Sequence, residues 1–260
     1  VSENLSELTR QQFFAAIAPT IVLIRQQGSP ILPSVRLAQS LLETGGVIHA
    51  WNNLGGIKVG GGKLTPYWRG DAVTKGTWEF VGGQEVKEKA AFRAYRTLYH
   101  YYKDQDELFN NTRYAKVQEA RTALEQAEQI RLAGYATDPN YSSKIMSIIS
   151  KYTLDAFDTA TIKFKPEVGF EGASLVPVMV DQILYCTAYL EKGITYIPVR
   201  KIAELFGAKV DWKSKKVYVN GVLVDTRLGG STSFVKPREV MSLLKIKLEW
   251  DTYAKVLFIN

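Results

Sequence analysis

Between residues 9 and 155 apolar positions recur mainly three and four apart, the spacing that lines one face of a helix. "TRQQFFAAIA" opens on Thr9, whose hydroxyl suits a helix N-cap, and Pro19 then suits the first turn of a second helix. "SPILPSVRLAQSLLE" uses the same device at Pro33, with Val35, Ala38, Leu41 and Leu42 as its buried stripe. Glu43 stands in the last turn of that helix, and Gly45 and Gly46 suit a left-handed C-cap. From Gly55 to about Tyr95 glycines are dense, and "GTWEFVGG" and "AAFRAY" predict short strands between turns, a small β-lobe. Helices resume near Thr97 to Phe109, in one long stretch "YAKVQEARTALEQAEQIRLAG" stopped by Gly134, and in "DPNYSSKIMSIISKY", capped by Asp138 with Pro139 in its first turn.

Helical periodicity fades around 156–175, and beyond it the chain repeats itself. "TYIPVRKIAELFGAKVDWKSKKVYVN" (195–220) aligns with "SFVKPREVMSLLKIKLEWDTYAKVLFIN" (233–260), so that Arg200 falls on Arg238, Leu205 on Leu243, Lys209 on Lys247 and Trp212 on Trp250. A unit of this size cannot bury its apolar face alone, so the copies are expected to pack into one module. The pattern predicts a mainly α domain with a small β-lobe at 1–158, a linker at 159–172, and a C-terminal α+β domain at 173–260 built from repeated strand–helix–strand units.

Lys and Arg outnumber Asp and Glu by 33 to 26, and the surplus lies mainly after residue 160, where 15 basic residues face 10 acidic ones. A basic surface draws polyanions, among them nucleic acid, anionic lipid and the teichoic acids of a bacterial wall, without choosing between them. No run of about 18 apolar residues is present, so no membrane-spanning helix is expected. The one cysteine, Cys186, lies in the apolar stretch "DQILYCTAYL" and reads as an inert interior residue, and there are two histidines, His49 and His100. That excludes an internal disulfide and argues against a histidine-based metal site or a nucleophile–histidine triad, so neither a metal nor another cofactor is expected.

Glu43 occupies an unfavourable place for a charge. The C-terminal end of a helix carries partial negative charge, and burial under a neighbouring lobe would act in the same sense. Both keep a carboxylic acid protonated near neutrality, as the leaving oxygen of a glycosidic bond requires. The glycine-rich run behind it leaves room for a sugar to approach the backbone. The spacing alone is also satisfied by a solvated glutamate at a helix end.

"LAQSLLETGG", "NNLGGIK", "GTWEF", "FRAY" and "AGYATDPNYSSKI" occur in this order. Together they resemble the family 73 endo-β-N-acetylglucosaminidases, bacterial peptidoglycan hydrolases with a lysozyme-like α-helical fold and a small β-lobe. The resemblance implies Glu43 as the catalytic acid and Glu79, in the T-x-E pattern of the lobe, as the second acidic residue, with Asp71 of "WRGDAV" as its rival. It implies that Tyr135 of "YATDP" lines the sugar site and that Asn53 of "NNLGGIK" shapes the cleft. Among the lobe's aromatic residues, Trp68 is expected to contact sugar and Trp78 to fill the interior. The implied reaction is hydrolysis of the β-1,4 bond between N-acetylglucosamine and N-acetylmuramic acid in the glycan strands of peptidoglycan. Activation of water by Glu79, charge stabilisation by Glu79, and attack by the substrate's own acetamido group all stay open.

Two features depart from the family pattern. Gly55 stands where members commonly carry an aromatic residue, and the segment between Glu43 and Asn52 is short. A hydrophobic wall of the cleft is thus expected to be missing or supplied by Trp51. In the C-terminal part, "YIPVRKIAELFGAKVDWKSKKVYVNG" resembles the domain named for the N-terminal region of copper amine oxidases, which is appended to secreted proteins of Gram-positive bacteria. It implies a spacer with a solvated basic face, or attachment to anionic wall polymers or a partner protein. The implied setting is extracellular, at the cell wall, or in a phage lysin or virion, with no nucleic-acid partner. A lytic transglycosylase or muramidase on the same fold, and a non-catalytic wall-binding or virion structural protein, are the rival readings.

Overall fold

The computed structural model describes residues 8–81, 84–160 and 168–260, with the backbone alone for 77–81 and 84–88, and divides into two units, Val1–Ile162 and Lys163–Asn260. In the first unit, helix α1 (Arg10–Gln26) starts with a reciprocal capping box. Thr9 Oγ1 accepts the Gln12 amide at 3.2 Å, and Gln12 Oε1 accepts the Thr9 amide at 2.9 Å. Pro19, expected to open a second helix, lies inside this one. An interior proline costs about 3 kcal/mol. Phe13, Ile17, Ile21, Leu23 and Ile24 are buried on both sides of it, and each side chain of this size returns about 1.5–3 kcal/mol, so the continuous helix wins.

Helix α2 (Pro33–Thr44) begins at Pro33 and buries Val35, Ala38 and Leu41, with Leu42 half-buried. Its N-cap, Leu32, has no oxygen to offer, and the orphan amides are met from far along the chain. Asp158 accepts both the amide and the hydroxyl of Ser34, at 2.8 and 2.7 Å, and Gln126 Oε1 accepts the Leu32 amide at 2.8 Å. A carboxylate at that end of a helix also complements its dipole. Gly45, at φ +62°, ends the helix in the left-handed region.

Strands β1 (Ala72–Val81) and β2 (Gln84–Arg93) form the antiparallel hairpin of the lobe, with Ala72 opposite Arg93. Helix α3 (Leu98–Phe109) is capped by Thr97. The stretch expected to be one long helix is instead broken into a 3-10 turn (Thr112–Tyr114), α4 (Ala115–Glu119) and α5 (Ala123–Leu132). Thr122 accepts the Glu125 amide at 3.2 Å and Glu125 Oε2 accepts the Arg121 amide at 2.9 Å, so "TALE" is a helix start inside an otherwise helical pattern. Helix α6 (Tyr141–Tyr152) starts after Asn140, later than expected, because Asp138 Oδ1 accepts the Asn140 amide at 2.8 Å and closes a turn there. Helix α2 packs against α1, α5 and α6.

The second unit is mostly strand: β3 (Ser174–Val180), β4 (Ile183–Glu191), β5 (Ile194–Pro198), α7 (Val199–Leu205), β6 (Val210–Lys213), β7 (Lys216–Val219), β8 (Val222–Val224), β9 (Arg227–Gly229), β10 (Thr232–Val235), α8 (Pro237–Leu244), β11 (Leu248–Asp251) and β12 (Val256–Ile259). Seven strands form one sheet in the order β11-β12-β3-β4-β5-β10-β9, in which β12 and β3 run parallel, and β6-β7-β8 form a second sheet. The strand pairs that follow the two helices thus join different sheets. One core draws on both helices and both sheets, through Ile202, Val217, Val219, Val240 and Leu257. Phe170, within the expected linker, is fully buried against Tyr189 and Phe234 and stacks on Tyr189 at 4.6 Å. Residues 161–167 of that linker lie outside the described residues. Burial pushes the Cys186 thiol up to about 12, which leaves no thiolate for chemistry.

Thr122→Ala should lower stability by about 0.5–2 kcal/mol, the usual effect of losing a side-chain cap. Urea unfolding measures it, and an unchanged midpoint would mean that packing alone holds the α4–α5 break.

Candidate active site

Glu43 lies on the same face of α2 as Gln39, one turn earlier. Glu43 is exposed, yet protein atoms crowd the carboxyl, and this desolvation pushes its pKa up to about 7. Among the described residues no hydrogen-bond donor or cation is bonded to it, so nothing offsets the lost hydration. Tyr135 and Tyr141 are near enough to feel its charge. Burial raises both phenols, and the Glu43 carboxylate raises them further.

These groups belong to one polar network. The Tyr135 hydroxyl donates to the Gly55 carbonyl at 3.0 Å and also bonds Gln105. Gln105 Nε2 donates to Gln39 Oε1 at 2.8 Å, and Gln39 Nε2 donates to the Tyr141 hydroxyl at 2.8 Å. Local structure delivers Tyr135. Gly134, at φ +78°, reverses the chain after α5, while the Gly134 and Tyr135 amides donate back to Arg131 and Ile130. Arg113 Nε donates to the Ala133 carbonyl at 3.0 Å, a cation at the negative end of α5.

The glycine-rich loop is closed by Asn53, which is buried. Its Nδ2 donates to the Ile57 and Arg93 carbonyls at 2.8 and 2.9 Å, and its Oδ1 accepts the Ile57 amide at 3.0 Å. Asn53 therefore folds the loop on itself and clips it to β2; its amide group is used internally. A Cβ on Gly55 would stand 2.4 Å from the Tyr101 hydroxyl and 2.7 Å from that of Tyr135. The room that an aromatic residue would need at this position is filled by two tyrosines, which accounts for the departure at Gly55. Trp51, the other candidate for that wall, stacks on His49 at 4.3 Å with the Lys75 ammonium 4.7 Å from its ring.

The lobe is pinned to the helices by Asp104 of α3, which accepts from Thr65 Oγ1, Arg93 Nη1 and the Tyr95 hydroxyl, each at 2.7 Å. Trp68, expected at the sugar, is enclosed instead. Only 3% of it is exposed, its Nε1 donates to the Asp71 carbonyl at 2.8 Å, and the Arg93 guanidinium lies 4.1 Å over its ring. It fills the lobe's interior. Asp71 is exposed just ahead of β1. Glu79 lies on β1 opposite Val86, and its side chain, like that of Trp78, is outside the described residues.

Residues 21–154 match the glucosaminidase family model, described as mannosyl-glycoprotein endo-β-N-acetylglucosaminidase. The chain belongs to the glucosaminidase family. Residues 182–244 match the copper amine oxidase N-terminal domain. The chain is 31% identical over 175 residues to the exo-glucosaminidase LytG of Bacillus subtilis, covering 64% of this chain and 60% of that one. It is 36% identical over 146 residues to the peptidoglycan hydrolase FlgJ of Salmonella typhimurium, covering 54% of this chain and 46% of that one. The chain thus spans about half the length of these curated relatives. Among solved structures, the N-acetylmuramoyl-L-alanine amidase of Staphylococcus aureus is similar with a TM-score of 0.51 and 30% identity, over 61% of this chain and 46% of that one. Copper does not fit the second unit of the glucosaminidase, because residues 163–260 contain no histidine and one cysteine, whose thiol holds its proton.

Gln39, Gln105 and Tyr141 escaped the sequence reading. Gln39 carries a weak signal, since it stands four residues before Glu43 on one helix, and Tyr141 closes the "YATDPNY" run. Gln105 carries none, lying in a tyrosine-rich helix that reads as packing.

The carboxyl of Glu43 binds a proton in the folded chain over the range from 4.5 to about 7, where an unfolded glutamate has lost it. The folded state then holds more protons, so its stability falls as pH rises through that window. Glu43→Gln removes this loss. The variant should match the parent near about pH 4 and exceed it near about pH 8, read as melting temperature, with about 2–4 °C for each kcal/mol in a chain of this size. Equal melting curves at both pH values would mean that the carboxyl is not desolvated. Gly55→Ala should displace the Tyr101 and Tyr135 hydroxyls and destabilise the chain by about 1–3 kcal/mol, seen as an earlier unfolding midpoint; an unshifted midpoint would show the loop to be adaptable.

Proposed function

We propose that the chain is a peptidoglycan hydrolase on a lysozyme-like fold, cutting the β-1,4 bond between N-acetylglucosamine and N-acetylmuramic acid with Glu43 as general acid. The observation that carries this reading is the Glu43 carboxyl, which desolvation holds near a pKa of about 7 with no cation among the described residues to draw the proton away. A carboxylic acid poised there keeps its proton at neutral pH and passes it to a leaving glycosidic oxygen. Membership of the glucosaminidase family and the name of the Bacillus relative support the bond type, and the name of the Salmonella relative supports peptidoglycan as the substrate. Tyr135 and Tyr141 border the acid as neutral phenols, held in place by Gly55, Gln105 and Gln39.

Two carboxylates compete for the second role. Asp71 is exposed, and its backbone is fixed by the Trp68 indole and the Ala94 amide, both donating to its carbonyl at 2.8 Å. Glu79 lies on β1, the strand that begins directly after Asp71. The setting we infer is the cell wall outside the membrane, for a cellular autolysin or a phage lysin. The basic surplus of the second unit would draw anionic wall polymers, a reading that rests on composition alone.

Digested peptidoglycan, reduced with borohydride and analysed by mass spectrometry, should yield reduced N-acetylglucosamine ends. Reduced N-acetylmuramic acid ends would make the chain a muramidase, anhydro ends a transglycosylase, and an absence of products would leave a non-catalytic wall binder. Glu43→Gln should slow hydrolysis by about 10²–10⁴-fold while sedimentation with walls persists. In the parent the rate should fall as pH rises through about 7, as the acid loses its proton.

A further inference from the structure

The second unit holds a cavity of about 260 Å³ that the reaction does not use. It is framed by Arg200 at the start of α7, Asp211 and Trp212 of β6, and the run Ser231, Thr232 and Ser233 leading into β10, with valines of α7, β6 and β7 completing the lining. A solitary exposed apolar side chain is ordinary. Trp212 is different because its ring, 48% exposed, walls a cavity that hydroxyl-bearing residues also line. Its counterpart in the repeat, Trp250, is half-buried and packs against the unit's core.

The charges at the cavity are already balanced. Arg200 Nη1 lies 3.1 Å from Glu204 Oε1, and Asp211 Oδ1 lies 3.2 Å from Lys209 Nζ. No surplus of positive charge is left to favour a phosphate-rich polymer. What remains is an aromatic face, an apolar lining and a set of donors and acceptors, the mixture typical of small-ligand pockets, in a volume just under the range of about 300–1,000 Å³ that suits drug-sized molecules. A single pyranose ring meets those terms. Its C–H face is apolar and suits an aromatic ring, while its hydroxyl and amide edges need hydrogen-bonding partners.

We infer that this cavity is a saccharide-binding site for one neutral, uncharged pyranose of a polysaccharide, stacked on Trp212 and hydrogen-bonded by Arg200, Asp211 and the 231–233 run. The site stands on the second unit alone and does not rest on the catalytic reading of Glu43. It gives the chain a second hold on a glycan, separate from any cleavage.

The full chain labelled with fluorotryptophan should show five fluorine resonances, one per tryptophan, with that of Trp212 identified by its loss in Trp212→Phe. Titration with N,N′-diacetylchitobiose should shift the Trp212 resonance saturably, and glycerol phosphate, a probe for anionic wall polymer, should leave it in place. Asp211→Ala, read on the same resonance, should weaken the disaccharide by about tenfold, the loss of a hydrogen bond from a charged group. A response to glycerol phosphate alone would overturn the inference in favour of an anionic ligand. No response to either probe, or an undiminished affinity in Asp211→Ala, would also overturn it.

Discussion

The first unit depends on one buried carboxylate. Asp104 of α3 gathers a hydroxyl from the loop before β1, a guanidinium from the end of β2 and the phenol of Tyr95, all at 2.7 Å. A buried carboxylate is tolerated only when donors replace its hydration, and here three of them do so from three points of the lobe. Arg93, held by this contact, lies over Trp68 and offers its carbonyl to Asn53. Asn53 in turn shapes the loop that presents Gly55 to Tyr135. The lobe, the glycine-rich loop and the tyrosine beside Glu43 are thus registered to one another through one anchored side chain.

Glu43 is the opposite case. It too is crowded by protein, but no cation or bonded donor among the described residues compensates it, and its pKa rises to about 7. Desolvation without a compensating partner is what raises the pKa of an acid. The folded state tolerates an unpaired carboxyl because that carboxyl can keep its proton. Stability is conceded at one residue, and a proton donor at neutral pH is what the concession yields.

Those parts of the fold that arise within a few residues were legible in the sequence. The Thr9 cap, Pro33 at the start of α2 and the left-handed Gly45 each depend on neighbours in the chain, whereas the short strands expected in the lobe are two ten-residue strands paired along their length. Local signals failed where two of them competed. Pro19 reads as a helix start until the burial on both sides of it is known, and "TALE" is masked by the helical period around it. Glu43 stands out in the sequence through its helix end and its motif, and the helix end is where the structure has it. The network around it was not legible, because Gln39, Gln105 and Tyr141 are brought together from distant segments by packing. Trp68 shows the same limit in reverse: an aromatic residue in a glycine-rich lobe suggests a sugar platform, and Arg93 and the Asp71 carbonyl use it as interior instead.

The two strand pairs of the second unit show how position in a sheet decides what a repeated residue can do. Trp250 stands opposite Leu257, on a pair tied to β3 within the seven-stranded sheet, and its half-buried ring packs against the core. Trp212 stands opposite Val217, in a sheet of three short strands, and its ring is left half in solvent. Similar sequence thus supplies packing in one copy and a surface in the other. Once the larger sheet has satisfied the apolar requirement of the unit through β12 and β3, the first copy's tryptophan is not needed to close the interior. A ring released from packing, beside charges already neutralised by Glu204 and Lys209, has ligand contact as its remaining physical use.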